Sequence, residues 1–129
     1  MRGFTLLEML LVLVILGMAA AVVAPPLART VDRMREATSR DDVARALSRL
    51  PLEARRQGRA LHWAAGETIS APAAGTTWPA GWQVVALADL RIEGSGFCNG
   101  GEVVVVGPSS RSRWTLDAPD CRPMNSDAP

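Results

Sequence analysis

The hydrophobic pattern divides the chain into three stretches. From Phe4 to Ala24 it is almost continuously apolar, FTLLEMLLVLVILGMAAAVVA, and Glu8 is the only ionisable side chain in those 21 residues. As a helix this run extends roughly 31 Å, enough to cross the hydrocarbon core of a bilayer. Pro25-Pro26 follows. Proline lacks an amide donor and clashes with the preceding turn, so a kink or short break is expected near Ala24. Beyond it Leu27, Val31, Met34 and Ala37 form one helical stripe, and Val43, Leu47, Leu50 and Ala54 a second. At about 100° per residue the second stripe points about 180° away from the first. Either the helix is interrupted near Thr38-Ser39-Arg40-Asp41, where Ser39 or Asp41 offers an N-cap, or its two parts bury opposite faces. Pro51 predicts a second kink and Gly58 a C-terminal stop.

From Ala60 onward Gly, Pro and Thr punctuate short apolar runs, the pattern of strands. Trp82 to Leu87 and Glu102 to Val106 read as strands, the latter central because of its four valines. Arg113 to Leu116 alternates and fits an antiparallel partner, with Gly107-Pro108-Ser109-Ser110 turning between them. Leu61-His62-Trp63 is a further short candidate. Gly66 to Ala80 reads as loop, Gly94 to Gly101 as a Gly-rich loop carrying Cys98, and Pro123 to Pro129 as a disordered tail. The expected fold class is α+β, a long N-terminal helix packed on a small, mostly antiparallel sheet. The expected boundaries are a leader at 1–3, a membrane helix at 4–24, an amphipathic helical stalk at 25–58, a β-rich domain at 59–122 and a tail at 123–129.

Composition narrows the function. The chain has 129 residues and 13.7 kDa. About 100 residues outside the apolar run make a modest core and are too few for an elaborate enzyme. All 14 basic residues are Arg, and the net charge of +1 excludes a strongly basic chain. Residues 29–59 hold 9 Arg against 5 acids, and residues 60–129 hold 4 Arg against 7 acids. The helical arginines read as a solvated face with local pairs such as Arg29 or Arg35 with Asp32, worth tenths of a kcal/mol each. His62 is the only histidine, and nothing around it forms a nucleophile–base constellation. Gly94-Ser95-Gly96 lacks the Lys and helix of a phosphate loop, and no His, Cys or Asp spacing fits a metal. No enzyme activity, cofactor or metal is expected. Trp63, Trp78, Trp82 and Trp114 read as core or interface anchors, not as a platform for bases.

Glu8 is the informative residue. A lone carboxylate in a membrane helix costs a few kcal/mol and has a partner or a use, the alternative being that Glu8 sits near enough to the membrane surface to stay wet. A secretory signal is the rival reading of the run, and Ala19, Ala20, Ala21 and Ala24 would suit its cleavage site. The length of the run, the thin basic region Met1-Arg2 and Glu8 itself argue against it. Only Arg2 lies within helical reach as a cation. Were the chain cut after Gly3, the new amino group on Phe4 would lie four residues from Glu8. It could then neutralise Glu8 of the same or a neighbouring subunit.

Gly3-Phe4-Thr5-Leu6-Leu7-Glu8 followed by an apolar run resembles the class III signal of type IV pilins and type II secretion pseudopilins. The resemblance implies cleavage after Gly3 by a prepilin peptidase, N-methylation of Phe4, and a need for Glu8 in assembly with other pilin-like subunits. Arg2 and the initiator amine favour a cytoplasmic N-terminus. The body would then lie outside the inner membrane, in the periplasm. In that compartment Cys98 and Cys121 read as one disulfide, the alternative being two separate buried thiols. Trp78-Pro79-Ala80-Gly81-Trp82 and Phe97-Cys98-Asn99-Gly100-Gly101-Glu102 further resemble the H-type minor pseudopilins and the related FimT-type minor pilins. No carboxylate-rich calcium loop of a major subunit is evident, which favours a minor one.

Three functions follow as expectations. The first is a minor pseudopilin of a type II secretion system, a structural part of the periplasmic pseudopilus that helps export folded proteins. The second is a FimT-like type IV minor pilin acting in pilus assembly or DNA uptake, with Arg111, Arg113 and Arg122 as its nucleic-acid contacts. Three charges in a net acidic half argue against nucleic acid. The third is an anchored periplasmic domain that does not assemble.

Overall fold

A computed structural model describes residues 3–70 and 77–127. Met1-Arg2 of the expected leader, 71–76 of the expected loop (Pro72 and Gly75 among them) and the last two residues of the expected tail lie outside the described residues. The chain forms two compact units, 1–37 and 38–129.

The first unit is helical from Leu6, the start of α1 (Leu6–Ser48). Its side chains from Gly3 to Arg35 are all exposed. The break expected at Pro25-Pro26 does not occur, because α1 runs through both prolines. The two missing amides deprive the carbonyls of Ala21 and Val22 of their helical donors. The Thr30 hydroxyl donates to the Pro26 carbonyl at 3.0 Å. In apolar surroundings the neighbouring backbone groups have no partner outside the helix, which favours carrying the helix onward.

The interruption expected at Thr38–Asp41 is also absent, and of the two stripes expected to bury opposite faces only the second is buried. Val43 and Leu47 are fully buried, whereas Leu27, Val31 and Met34 stay exposed. The helix is interrupted later, at Arg49, before α2 (Leu50–Gln57). Pro51 falls in the first turn of α2, where a missing amide donor costs nothing. Gly58 ends α2 at φ +62°, its N–H donating to the Arg55 carbonyl at 3.2 Å. A left-handed residue after a helix is a glycine position.

The second unit carries six strands, β1 (Leu61–Trp63), β2 (Gln83–Ala86), β3 (Leu90–Ile92), β4 (Gly101–Val106), β5 (Arg111–Asp117) and β6 (Arg122–Asn125). Strands β1 and β3 pair antiparallel, with Leu61 opposite Ile92. The larger sheet has the order β2-β4-β5-β6, antiparallel throughout, with Val103 opposite both Ala86 and Trp114. Strand β4 is interior and joins β5 through the turn at Gly107, whose N–H donates to the Ser110 carbonyl at 2.7 Å.

Alternation decides the core. Val103 and Val105 enter it with Val84, Ala86, Trp114 and Leu116, and there they meet Val43, Leu47, Leu50 and Ala54 of the helices. Trp63, Leu90 and Ile92 add the small sheet to the same cluster. Ser112 is the buried polar member of that face, and it accepts the Trp114 indole N–H at 2.8 Å.

Three sequence expectations need correction. Gly66–Ile69 is not wholly loop: Gly66 N–H donates to Ala86 O at 2.7 Å and Ile69 N–H to Val84 O at 2.8 Å, so the segment lies along the free edge of β2. Strand β3 was not expected. The tail does not lose order at Pro123, since 122–125 form β6, with Leu116 opposite Pro123 and Thr115 opposite Met124. Ser126 N–H donates to the Arg113 carbonyl at 2.9 Å. Proline is tolerated there because β6 is an edge strand.

Truncating Leu47 to Ala should destabilise the second unit by about 2–5 kcal/mol, since its side chain is fully buried. Val31→Ala should change stability by less than about 0.5 kcal/mol. Denaturant unfolding of the whole chain in mild detergent, followed by the fluorescence of the buried tryptophans, checks both.

Candidate functional site

The amino-terminal end builds its geometry from a helix start. Gly3, Phe4 and Thr5 precede α1, so the Gly3–Phe4 peptide bond lies outside the helix. Phe4 is 78% exposed, and a Cβ placed on Gly3 would meet nothing within 4 Å. An accessible, non-helical bond is what a peptidase requires. Thr5 is the N-cap: its carbonyl accepts Met9 N–H at 3.2 Å and its Oγ1 accepts Glu8 N–H at 3.3 Å. Glu8 is therefore the third helical residue, in the first turn, where the helix dipole favours a negative charge. Beyond it α1 is long and apolar enough to cross a membrane, and its apolar side chains from Leu6 to Leu27 are all exposed. So large an uncovered apolar surface belongs in lipid or against partners.

The two glycine-rich motifs of the second unit turn out to be brackets. Cys98 and Cys121 are joined, with Cα atoms 5.6 Å apart, and both are fully buried. Cys98 lies opposite Ile92 and donates its N–H to the Pro119 carbonyl at 2.9 Å, so the bridge ties the hairpin after β3 to the β5–β6 connection. Asn99 clamps the same hairpin: its Oδ1 accepts Arg91 N–H at 2.9 Å and its Nδ2 donates to the Asp89 carbonyl at 3.2 Å. Gly100 has φ +76°, and a Cβ there would come within 3.0 Å of the Leu116 carbonyl. Arg55 of α2 donates through Nε to the Ser95 carbonyl at 2.7 Å. In the other motif Trp78 donates its indole N–H to the Ile69 carbonyl at 2.9 Å, and Trp82 N–H bonds to the Pro79 carbonyl at 3.0 Å, so the turn leads directly into β2.

Arg111 and Arg113 lie side by side on the outer face of β5, both exposed. They line an open groove of about 520 Å³ with Leu87, Val104, Glu102 and Asp127. Two carboxylates thus offset two guanidinium groups. Asp127 is held there by accepting the Arg113 main-chain N–H at 2.6 Å. Arg122 is not brought to this groove; it stands opposite Asp117 on β6. On the helix, Arg45 pairs with Asp42. His62 is exposed on β1 opposite Arg91. Among the described residues no group of three or more His, Cys, Asp or Glu side chains is placed to hold a metal ion.

Sequence reading passed over Thr5, although Thr-x-x-Glu ahead of an apolar run is a recognisable capping-box pattern. The clamping roles of Asn99 and Arg55 went unread too, because the fold alone brings their partners to them, Arg91 and Asp89 for the first and Ser95 for the second.

Comparison with known proteins bears on the first 24 residues. The sequence profile of the prokaryotic N-terminal methylation motif matches residues 1–24. That motif is the processing signal of type IV pilin-like proteins; it supports the pilin-like reading, and it implies cleavage by a prepilin peptidase and assembly with other such subunits. No curated protein and no solved structure matches the chain.

Replacing Cys98 and Cys121 by Ser should lower the unfolding free energy by roughly 3 kcal/mol, the loop-closure value for a loop of this length. Gly100→Ala should cost about 1–2 kcal/mol, because the left-handed conformation strains an L residue there. Denaturant titration of each variant against the native chain measures both losses.

Proposed function

We propose that the chain is an H-type minor pseudopilin of a type II secretion system, a structural subunit of the periplasmic pseudopilus with no turnover of its own. The single observation carrying the proposal is the methylation motif joined to one carboxylate in an otherwise apolar, membrane-length helix. The leader ending at Gly3 is removed on the cytoplasmic face, and Phe4 becomes an N-methylated ammonium. The helix then stands in the inner membrane with the domain in the periplasm. Glu8 is costly in lipid while it lacks a cation, and the Phe4 ammonium of a neighbouring subunit supplies one. Assembly therefore relieves a cost that the isolated subunit carries. The buried disulfide supports an exported domain. The subunit works by occupying a place in a filament that helps move folded proteins through the outer membrane.

A FimT-like role in DNA uptake is the second reading, favoured by the pairing of Arg111 with Arg113 on one exposed face. The carboxylates of Glu102 and Asp127 in the same groove weigh against it.

Two outcomes are expected. Glu8→Gln should leave cleavage at Gly3 intact while reducing recovery in sheared or cross-linked pseudopili by about ten-fold or more, the factor that 1.4 kcal/mol represents. Native recovery of the variant would refute the assembly role. In an electrophoretic shift assay, changing Arg111 and Arg113 to Ala should leave any DNA affinity and its salt slope unchanged. A slope reduced by about 1 for each arginine removed would instead establish the DNA-uptake reading.

A further inference from the structure

Arg29 is the first cation after the apolar run, and Arg33 follows one helical turn later. At about 100° per residue the two lie about 40° apart around α1, while Leu27, Val31 and Met34 group on the opposite side. Both arginines are exposed, and so are the three apolar residues. The pairing of Asp32 with Arg29 or Arg35 expected from the sequence does not form. Among the described residues the side chains of Arg29, Asp32, Arg33 and Arg35 take part in no ion pair or hydrogen bond. Asp32, about 60° around the helix from Arg29, lowers the charge of this face without occupying either guanidinium.

Position along the axis decides what meets these two charges. At 1.5 Å per residue Arg29 lies about 7 Å and Arg33 about 13 Å beyond Ala24, where the apolar run ends. With the run in hydrocarbon, the headgroup layer beyond it is about 5–8 Å deep. Helical side chains lean towards the N-terminus of their helix, which here is back towards the membrane. The long stem of arginine carries its charge further in that direction. Both guanidinium groups thus reach the level of the lipid phosphates from one side of the helix. A guanidinium matches phosphate with two parallel N–H···O bonds and is more weakly hydrated than an ammonium.

We propose that Arg29 and Arg33 form a binding site for the phosphate of anionic phospholipids in the leaflet where α1 leaves the membrane. The inference rests on the membrane-spanning reading of α1, not on which machine the subunit serves. An anionic headgroup is preferred to a zwitterionic one, whose own ammonium already offsets its phosphate. A headgroup held by two arginines one turn apart also fixes how deep the helix sits.

The test uses the full chain. Co-flotation with phosphatidylcholine vesicles reads insertion alone, and a chain that does not float overturns the membrane reading and the site with it. Native mass spectrometry of the chain released from micelles holding equal phosphatidylglycerol and phosphatidylcholine then counts the lipids retained. The anionic lipid should be retained in preference. Arg29→Gln and Arg33→Gln should each cut that preference about five-fold, the factor for one arginine at an anionic surface. Asp32→Asn should raise it, and Arg56→Gln, at an exposed position on α2, should leave it unchanged. Normal flotation with equal retention of the two lipids overturns the proposal and leaves the membrane reading standing. So does a loss in Arg56→Gln as large as that in Arg29→Gln. Displacement of the lipid by inorganic phosphate would reveal a plain anion site and overturn the lipid assignment.

Discussion

A single carboxylate in the first turn of a long, exposed apolar helix sets the terms for this chain. Glu8 sits in the first turn of α1, and the next basic residue along the sequence is Arg29. The helix dipole and the Thr5 cap ease the charge without neutralising it. An apolar helix of this length would rest in a bilayer indefinitely. On the proposed reading, one acid makes the resting state less favourable than a packed one, and the remedy lies at the end of another polypeptide.

Leu27 and Val31 of the first unit are exposed, whereas Val43 and Leu47 of the second are buried in the core with Val103, Val105 and Trp114. The rest of the domain is arranged to hold that buried part of the helix. Arg55 and Gly58 seat the hairpin after β3, and the Cys98–Cys121 bridge fixes that hairpin to the last strands.

The continuous apolar run and the helical stripes pointed to the helices, the four valines to β4, alternation to β5, and a glycine at 58 to the helix stop. The signal at Gly3, Phe4 and Glu8 was legible because its chemistry is local in sequence. What escaped depends on partners far away along the chain. Strand β3 has three residues and owes its existence to pairing with β1 and to the Asn99 clamp. Strand β6 contains a proline and reads as tail, yet β5 supplies a register for it. The prolines at 25 and 26 misled in the other direction: α1 runs through both, and the Thr30 hydroxyl donates to the Pro26 carbonyl.

The ends of the larger sheet carry a consequence for a protein whose signal implies assembly with other subunits. On one side the outer rim of β2 is occupied by Gly66–Ile69; on the other β6 is short and contains Pro123. Neither rim offers a long, regular row of amides on which a second molecule could add a strand. Strand addition at either rim is thereby discouraged, and on the proposed reading growth of a filament is left to the helices, after the peptidase has cut.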